Sequence, residues 1–114
     1  MKHSILALTV LFLALVVALP AHPAASVTAS FDKATNLLTV SFKHQVKDNK
    51  DHFISDVVIE RNRKEVAWQK LSYQDNAEGG TLVYKVNDLK AKDKLIITTT
   101  CNKIGKKNYS LEIK

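Results

Sequence analysis

The chain has 114 residues, 46% hydrophobic and 25% charged, with a formal charge of +6, which is material for one small globular domain and leaves no room for a second core. Its lysines are scattered, without aromatic interleaving or a nucleic-acid motif, which argues against nucleic acid as a partner. One cysteine excludes an internal disulfide, so the fold has to be held by its core.

Lys2 is followed by an uncharged apolar run from Ile5 to Leu19, and then by Pro20-Ala21-His22-Pro23-Ala24-Ala25, where small residues gather. This is the layout of a secretory signal peptide over residues 1–21, cut after Ala21, with an exported product, periplasmic or secreted, that begins at His22. The run is shorter than the ~20 residues of a bilayer span, so no membrane association is expected after cleavage. Loss of Lys2 leaves 16 Lys and Arg against 11 Asp and Glu, a formal charge of +5. A field of that sign can steer small anions or acidic surfaces to the protein.

From residue 26 onward apolar residues alternate with polar ones in short runs, and no stretch keeps a helical period. The predicted strands are Ser26 to Phe31, Leu37 to His44, Phe53 to Arg61, Glu65 to Tyr73, Gly80 to Val86, Lys94 to Cys101 and Tyr109 to Ile113. About seven short strands at this spacing predict an all-β, immunoglobulin-like sandwich over residues 22–114. Asn62-Arg63 stands where a two-residue hairpin turn often has Asn-Gly, and Trp68 in the following strand is expected to anchor the core. The polar run from Asn87 to Asp93 is expected to cross between sheets.

Strand phase picks out the chemistry. His44 continues the row of Leu38, Val40 and Phe42, and Cys101 continues the row of Leu95 and Ile97, so both belong to inward faces at strand ends. The polar stretch after His44 closes on His52, and His22 opens the exported chain. Imidazole and thiolate together suit iron, copper or zinc, whereas magnesium or calcium would want clustered carboxylates. His22, His44, His52 and Cys101 are therefore the candidate metal ligands, although no CxxC or HxxxH spacing ties any two of them together. Taken singly, each has a structural alternative: a strand-end imidazole for His44, a loop cap for His52, a small buried hydrophobe for Cys101 and a loose terminus for His22.

The run from His44 through His52-Phe53-Ile54, followed by a strand, an Asn-containing turn and a late Cys101-Asn102-Lys103-Ile104-Gly105, resembles the iron-binding domain of the desulfoferrodoxin and superoxide reductase family. The resemblance implies an immunoglobulin-like sandwich carrying a mononuclear ferrous centre, and an oxidoreductase that reduces superoxide with electrons from a donor protein. It assigns His22 as the early histidine, His44 and His52 as the loop pair and Cys101 as the axial thiolate, with Asn102 and Gly105 keeping the frame of the last motif. Ile104 stands where the family has its last histidine, Gln45 replaces a proline, and Pro20-Ala21 replace the acidic and lysine residues ahead of the early histidine. Copper is the alternative metal, since the free amine and ring of a terminal His22 could chelate it as a pair. The order His-Phe-Ile, strand, turn and Trp-bearing strand is also similar to sulfur-oxidation carrier subunits. That second resemblance implies a metal-free periplasmic module that binds a partner protein.

Overall fold

The computed structural model describes residues 22–114, and the leader read over residues 1–21 lies outside the described residues. Seven strands follow in order: β1 (Ser26–Asp32), β2 (Leu37–Lys43), β3 (Ile54–Arg61), β4 (Lys64–Lys70), β5 (Gly79–Lys85), β6 (Lys94–Cys101) and β7 (Lys106–Glu112). They form one sheet of order β1-β2-β5 and a second of order β4-β3-β6-β7, with every pairing antiparallel. The all-β sandwich predicted from alternation is the fold found. β4 ends three residues earlier than predicted, and β7 begins three residues earlier.

The two inner faces make the core. Leu38, Val40 and Phe42 of β2 and Leu95 and Ile97 of β6 are buried, each aliphatic side chain contributing about 1.5–3 kcal/mol by leaving water. Thr99 continues the β6 row fully buried, and its hydroxyl donates to the Lys107 carbonyl at 3.1 Å. The rows end where the sequence places them, on buried His44 and buried Cys101.

Trp68 corrects an expectation. It is 58% exposed, because β4 is an edge strand that turns Ala67 inward against the core and Trp68 outward. On that outer face the indole N–H donates to Asp56 Oδ2 at 2.9 Å, and the Lys70 ammonium lies 5.8 Å from the ring. The indole and the Ser55 hydroxyl hold the Asp56 carboxyl below its ordinary range.

Hairpins β1–β2, β3–β4 and β6–β7 stay within a sheet, and the β2–β3, β4–β5 and β5–β6 connections cross between sheets. The Asn62-Arg63 turn has φ of 48° and 72°, the paired positive values of a type I′ turn, which suit Asn but strain Arg63. Arg63→Gly is accordingly expected to raise stability by about 0.5–1 kcal/mol in urea denaturation; an unchanged or lower midpoint would count against strain at this turn. Beside it, Asp93 accepts from the Lys90 backbone N–H at 2.8 Å and from Asn62 at 2.9 Å, and pairs with Arg61 at 2.8 Å. This pole is closed by structural hydrogen bonds.

Register places the remaining connections together at the other pole. Ser26, Lys43 and Gly79 align across the first sheet, as Ile54 and Cys101 do in the second. The N-terminal arm, the 44–53 loop, the 71–78 crossing and the 102–105 turn therefore meet at one end of the sandwich.

Candidate metal centre

His44 is set by β2, whose inward row delivers its ring to the sandwich end fully buried. Its backbone N–H donates to the Glu78 carbonyl at 2.8 Å and that of Val46 to the Ala77 carbonyl at 2.8 Å. The loop thus begins by pairing with the β4–β5 crossing.

His52 reaches the same place by a different device. In β3 the buried residues are Ile54, then Val57 and Ile59, a change of parity that a plain strand cannot show. The register with β6 shifts between Ile54 and Asp56, so Ser55 is the extra residue of a β-bulge. The bulge turns Ile54 inward, and His52, two residues earlier, comes to the inner side with it. The loop behind it is a tight turn around Asp48, whose carbonyl accepts from His52 at 2.9 Å and from Asp51 at 3.1 Å.

Cys101 ends β6 and is 4% exposed. Asn102 clamps it to the histidine loop: its side-chain oxygen accepts from Phe53 N at 3.0 Å, its amide donates to the Asp51 carbonyl at 2.9 Å, and its backbone N–H donates to the Phe53 carbonyl at 2.9 Å. Gly105 has φ of 92°, and a side chain there would meet the Pro23 ring at 2.9 Å. Only glycine lets the N-terminal arm lie this close to the turn, which brings His22 over the site.

The three imidazoles pack against one another, with ring centroids 5.0 Å apart for His22 and His44, 5.2 Å for His22 and His52, and 4.7 Å for His44 and His52. One donor nitrogen from each lies within 4.8 Å of the others. Cys101 adjoins this trio through His52, whose Nε2 is 3.1 Å from its Sγ; the Lys103 backbone N–H also points at the sulfur, at 3.4 Å. Of the four residues singled out in the sequence, the three histidines therefore form one cluster, and Cys101 touches it through His52 alone. Ile104, 59% exposed in the turn, offers no donor.

The donor chemistry fits a borderline transition metal. Bonds of about 2.1 Å to nitrogen put ligand atoms roughly 3–4 Å apart, a small contraction from the 4.8 Å within which the three imidazole nitrogens lie. His22 Nδ1 faces the Pro23 carbonyl at 2.9 Å, which leaves its Nε2 available. Burial, and then the His44 and His22 imidazoles, hold His52 below its ordinary pKa of 6.5, with Lys103 adding to the effect and Asp51 opposing it. A depressed imidazole stays neutral, the form that ligates a metal.

The depressed pKa also fixes the sign of a pH effect. An unfolded His52 takes up its proton near pH 6.5 while the folded one resists, so its contribution to stability is complete above about pH 6.5 and is lost as pH falls through and below that value. The metal-free protein is expected to melt at a lower temperature at pH 5.5 than at pH 7.5. Equal melting temperatures in the wild type and in His52→Gln across that range would count against the assignment.

One side chain in this cluster carried no signal in the sequence. Gln74, from the β4–β5 crossing, is 2% exposed and lies against His44, with Oε1 2.8 Å from His44 Nδ1.

No protein-family model matches this chain, and no curated protein does. Among solved structures it is similar to the superoxide reductase (1Fe-SOR) from Giardia intestinalis, at a TM-score of 0.58 and 16% identity, covering 83% of this chain and 100% of that one. The fold is superoxide reductase-like. At this identity the likeness concerns the path of the backbone, and the side chains of the site have to be judged on their own geometry.

Proposed function

We propose that this chain is an exported mononuclear metal protein that holds iron through His22, His44, His52 and Cys101 and reduces superoxide. The observation that carries the reading is the convergence of three imidazoles and the single thiol at the end of a superoxide reductase-like sandwich. Iron bound there would supply reversible one-electron chemistry, tuned by thiolate ligation. The protein's part is to orient and to shield. The strand ends and the Asn102 clamp fix the ligands, and burial keeps Cys101 from bulk water. The surplus of basic over acidic residues in the whole chain draws small anions towards the protein.

The site has four protein donors, one fewer than the resembled family, because Ile104 stands in the last histidine's place. In this reading the electron comes from a donor protein, and the leader over residues 1–21 directs export.

The test is metal analysis of protein exported by its own leader and purified without chelator, together with its absorption spectrum. Near-stoichiometric iron with a thiolate charge-transfer band that disappears in Cys101→Ser is the expected result. Copper with the same band would keep the ligand set and change the metal. A colourless, folded protein that takes up neither ion would sink the proposal and favour the metal-free partner-binding alternative.

A further inference from the structure

We infer that Gln74 is a positioning residue that determines which nitrogen of His44 is free to ligate; this rests on the metal-site reading above. Its amide orientation is fixed by its surroundings. The NH2 group donates to the His44 carbonyl at 2.8 Å and to the Asn76 carbonyl at 3.0 Å. Oε1 accepts from the Ile54 backbone N–H at 3.2 Å and faces His44 Nδ1 at 2.8 Å. Turned over, the amide would set donor against donor at Ile54 and oxygen against two carbonyls, so only one orientation satisfies all four contacts.

That orientation places a fixed acceptor at one of the two His44 ring nitrogens. A neutral imidazole has one N–H, and two acceptors compete for it: Gln74 Oε1, 2.8 Å from Nδ1 in a fully buried contact, and the His22 backbone carbonyl, 3.0 Å from Nε2 in a less buried one. The shorter contact, held by the other hydrogen bonds of the Gln74 amide, favours the proton on Nδ1 and leaves Nε2 its lone pair. Without the Gln74 oxygen, the ring's proton moves to Nε2 to meet that carbonyl, and the ligating lone pair is lost. Gln74 is itself tied to the histidine loop, donating from its backbone N–H to the Asn49 carbonyl at 3.2 Å and accepting at its own carbonyl from the Asn49 side chain at 2.6 Å. The acceptor that sets His44 is thereby anchored to the segment that carries His52.

The experiment reads the His44 ring nitrogens by long-range proton–nitrogen NMR on metal-free protein at neutral pH, and pairs this with anaerobic ferrous iron titration. Wild type is expected to show the Nδ1–H tautomer. Gln74→Leu and Gln74→Asn are expected to show Nε2–H and to bind iron about 10- to 100-fold more weakly. Gln74→Glu keeps an acceptor at Nδ1 but loses the two donations to the His44 and Asn76 carbonyls; it is expected to be less stable than wild type and still to retain Nδ1–H. A wild-type Nε2–H ring, or a Gln74→Leu protein that keeps Nδ1–H, overturns the inference; so does unchanged iron affinity once the tautomer has moved. If Gln74→Leu does not fold, Gln74→Asn decides the matter. Should wild type bind no iron, the metal reading fails by itself, and the tautomer shift still decides what Gln74 does.

Discussion

Replacing His44 by alanine is expected to lower stability by about 2–4 kcal/mol, because the ring is fully buried and its removal leaves a cavity and a buried acceptor short of a donor. It takes from Gln74 Oε1 one of its two donors and leaves it with the Ile54 backbone N–H alone. For a domain of this size that is a fall of roughly 10–25 °C in melting temperature. Iron affinity should fall by more than the 10- to 100-fold typical of losing an outer partner of a ligand, since a donor itself is gone. Denaturation and ferrous titration, both run well below the new melting point, separate the two effects. A variant as stable as wild type would show that the imidazole is not the keystone its contacts suggest. Cys101→Ser makes a useful contrast: a near-isosteric change at a strand end should strip the sulfur signature while leaving the fold.

Gly79→Ala is expected to be as damaging without touching any of the four proposed ligands. Gly79 has φ of 149°, and a methyl group there would run into the Phe42 backbone oxygen. The oxygen belongs to β2, so relief requires moving the two strands apart at the Lys43–Gly79 pair, one residue before His44. We expect a loss of about 3 kcal/mol, the upper range for a single backbone conflict, and a weaker metal site because β2 no longer delivers His44 in place. A thermal melt checks the first and iron titration the second; a change under about 0.5 kcal/mol would mean the strands absorb the methyl at little cost.

The features of this site that follow a simple period are legible in the sequence. Two-residue alternation is a direct consequence of the pleat, so Leu38, Val40, Phe42 and then His44 announce an inward face, as Leu95, Ile97 and Cys101 do. What breaks or lies outside the period is hidden. The bulge at Ser55 shifts the phase of β3, and because Val57 and Val58 are both apolar the parity change passes unnoticed. Trp68 reads as core because a large aromatic usually seeks it, but which face of β4 turns inward depends on the edge position that pairing gives it. Gln74 sits among polar turn residues; nothing local distinguishes it from Tyr73 or Asp75, and its importance arises only when the β4–β5 crossing folds over His44.

The meeting of four separate chain segments at one pole has a mechanical consequence. With one cysteine the chain has no covalent cross-link of its own, yet an ion shared by His22 and Cys101 would close a loop of roughly 80 residues, the span over which such a tie restricts an unfolded chain most strongly. At a free metal concentration a thousand times the dissociation constant, that tie adds about 4 kcal/mol, and chelation removes it. The two ends of the sandwich would then answer to different masters: the Arg61–Asp93 pole to the sequence alone, and the histidine pole to the supply of metal around it.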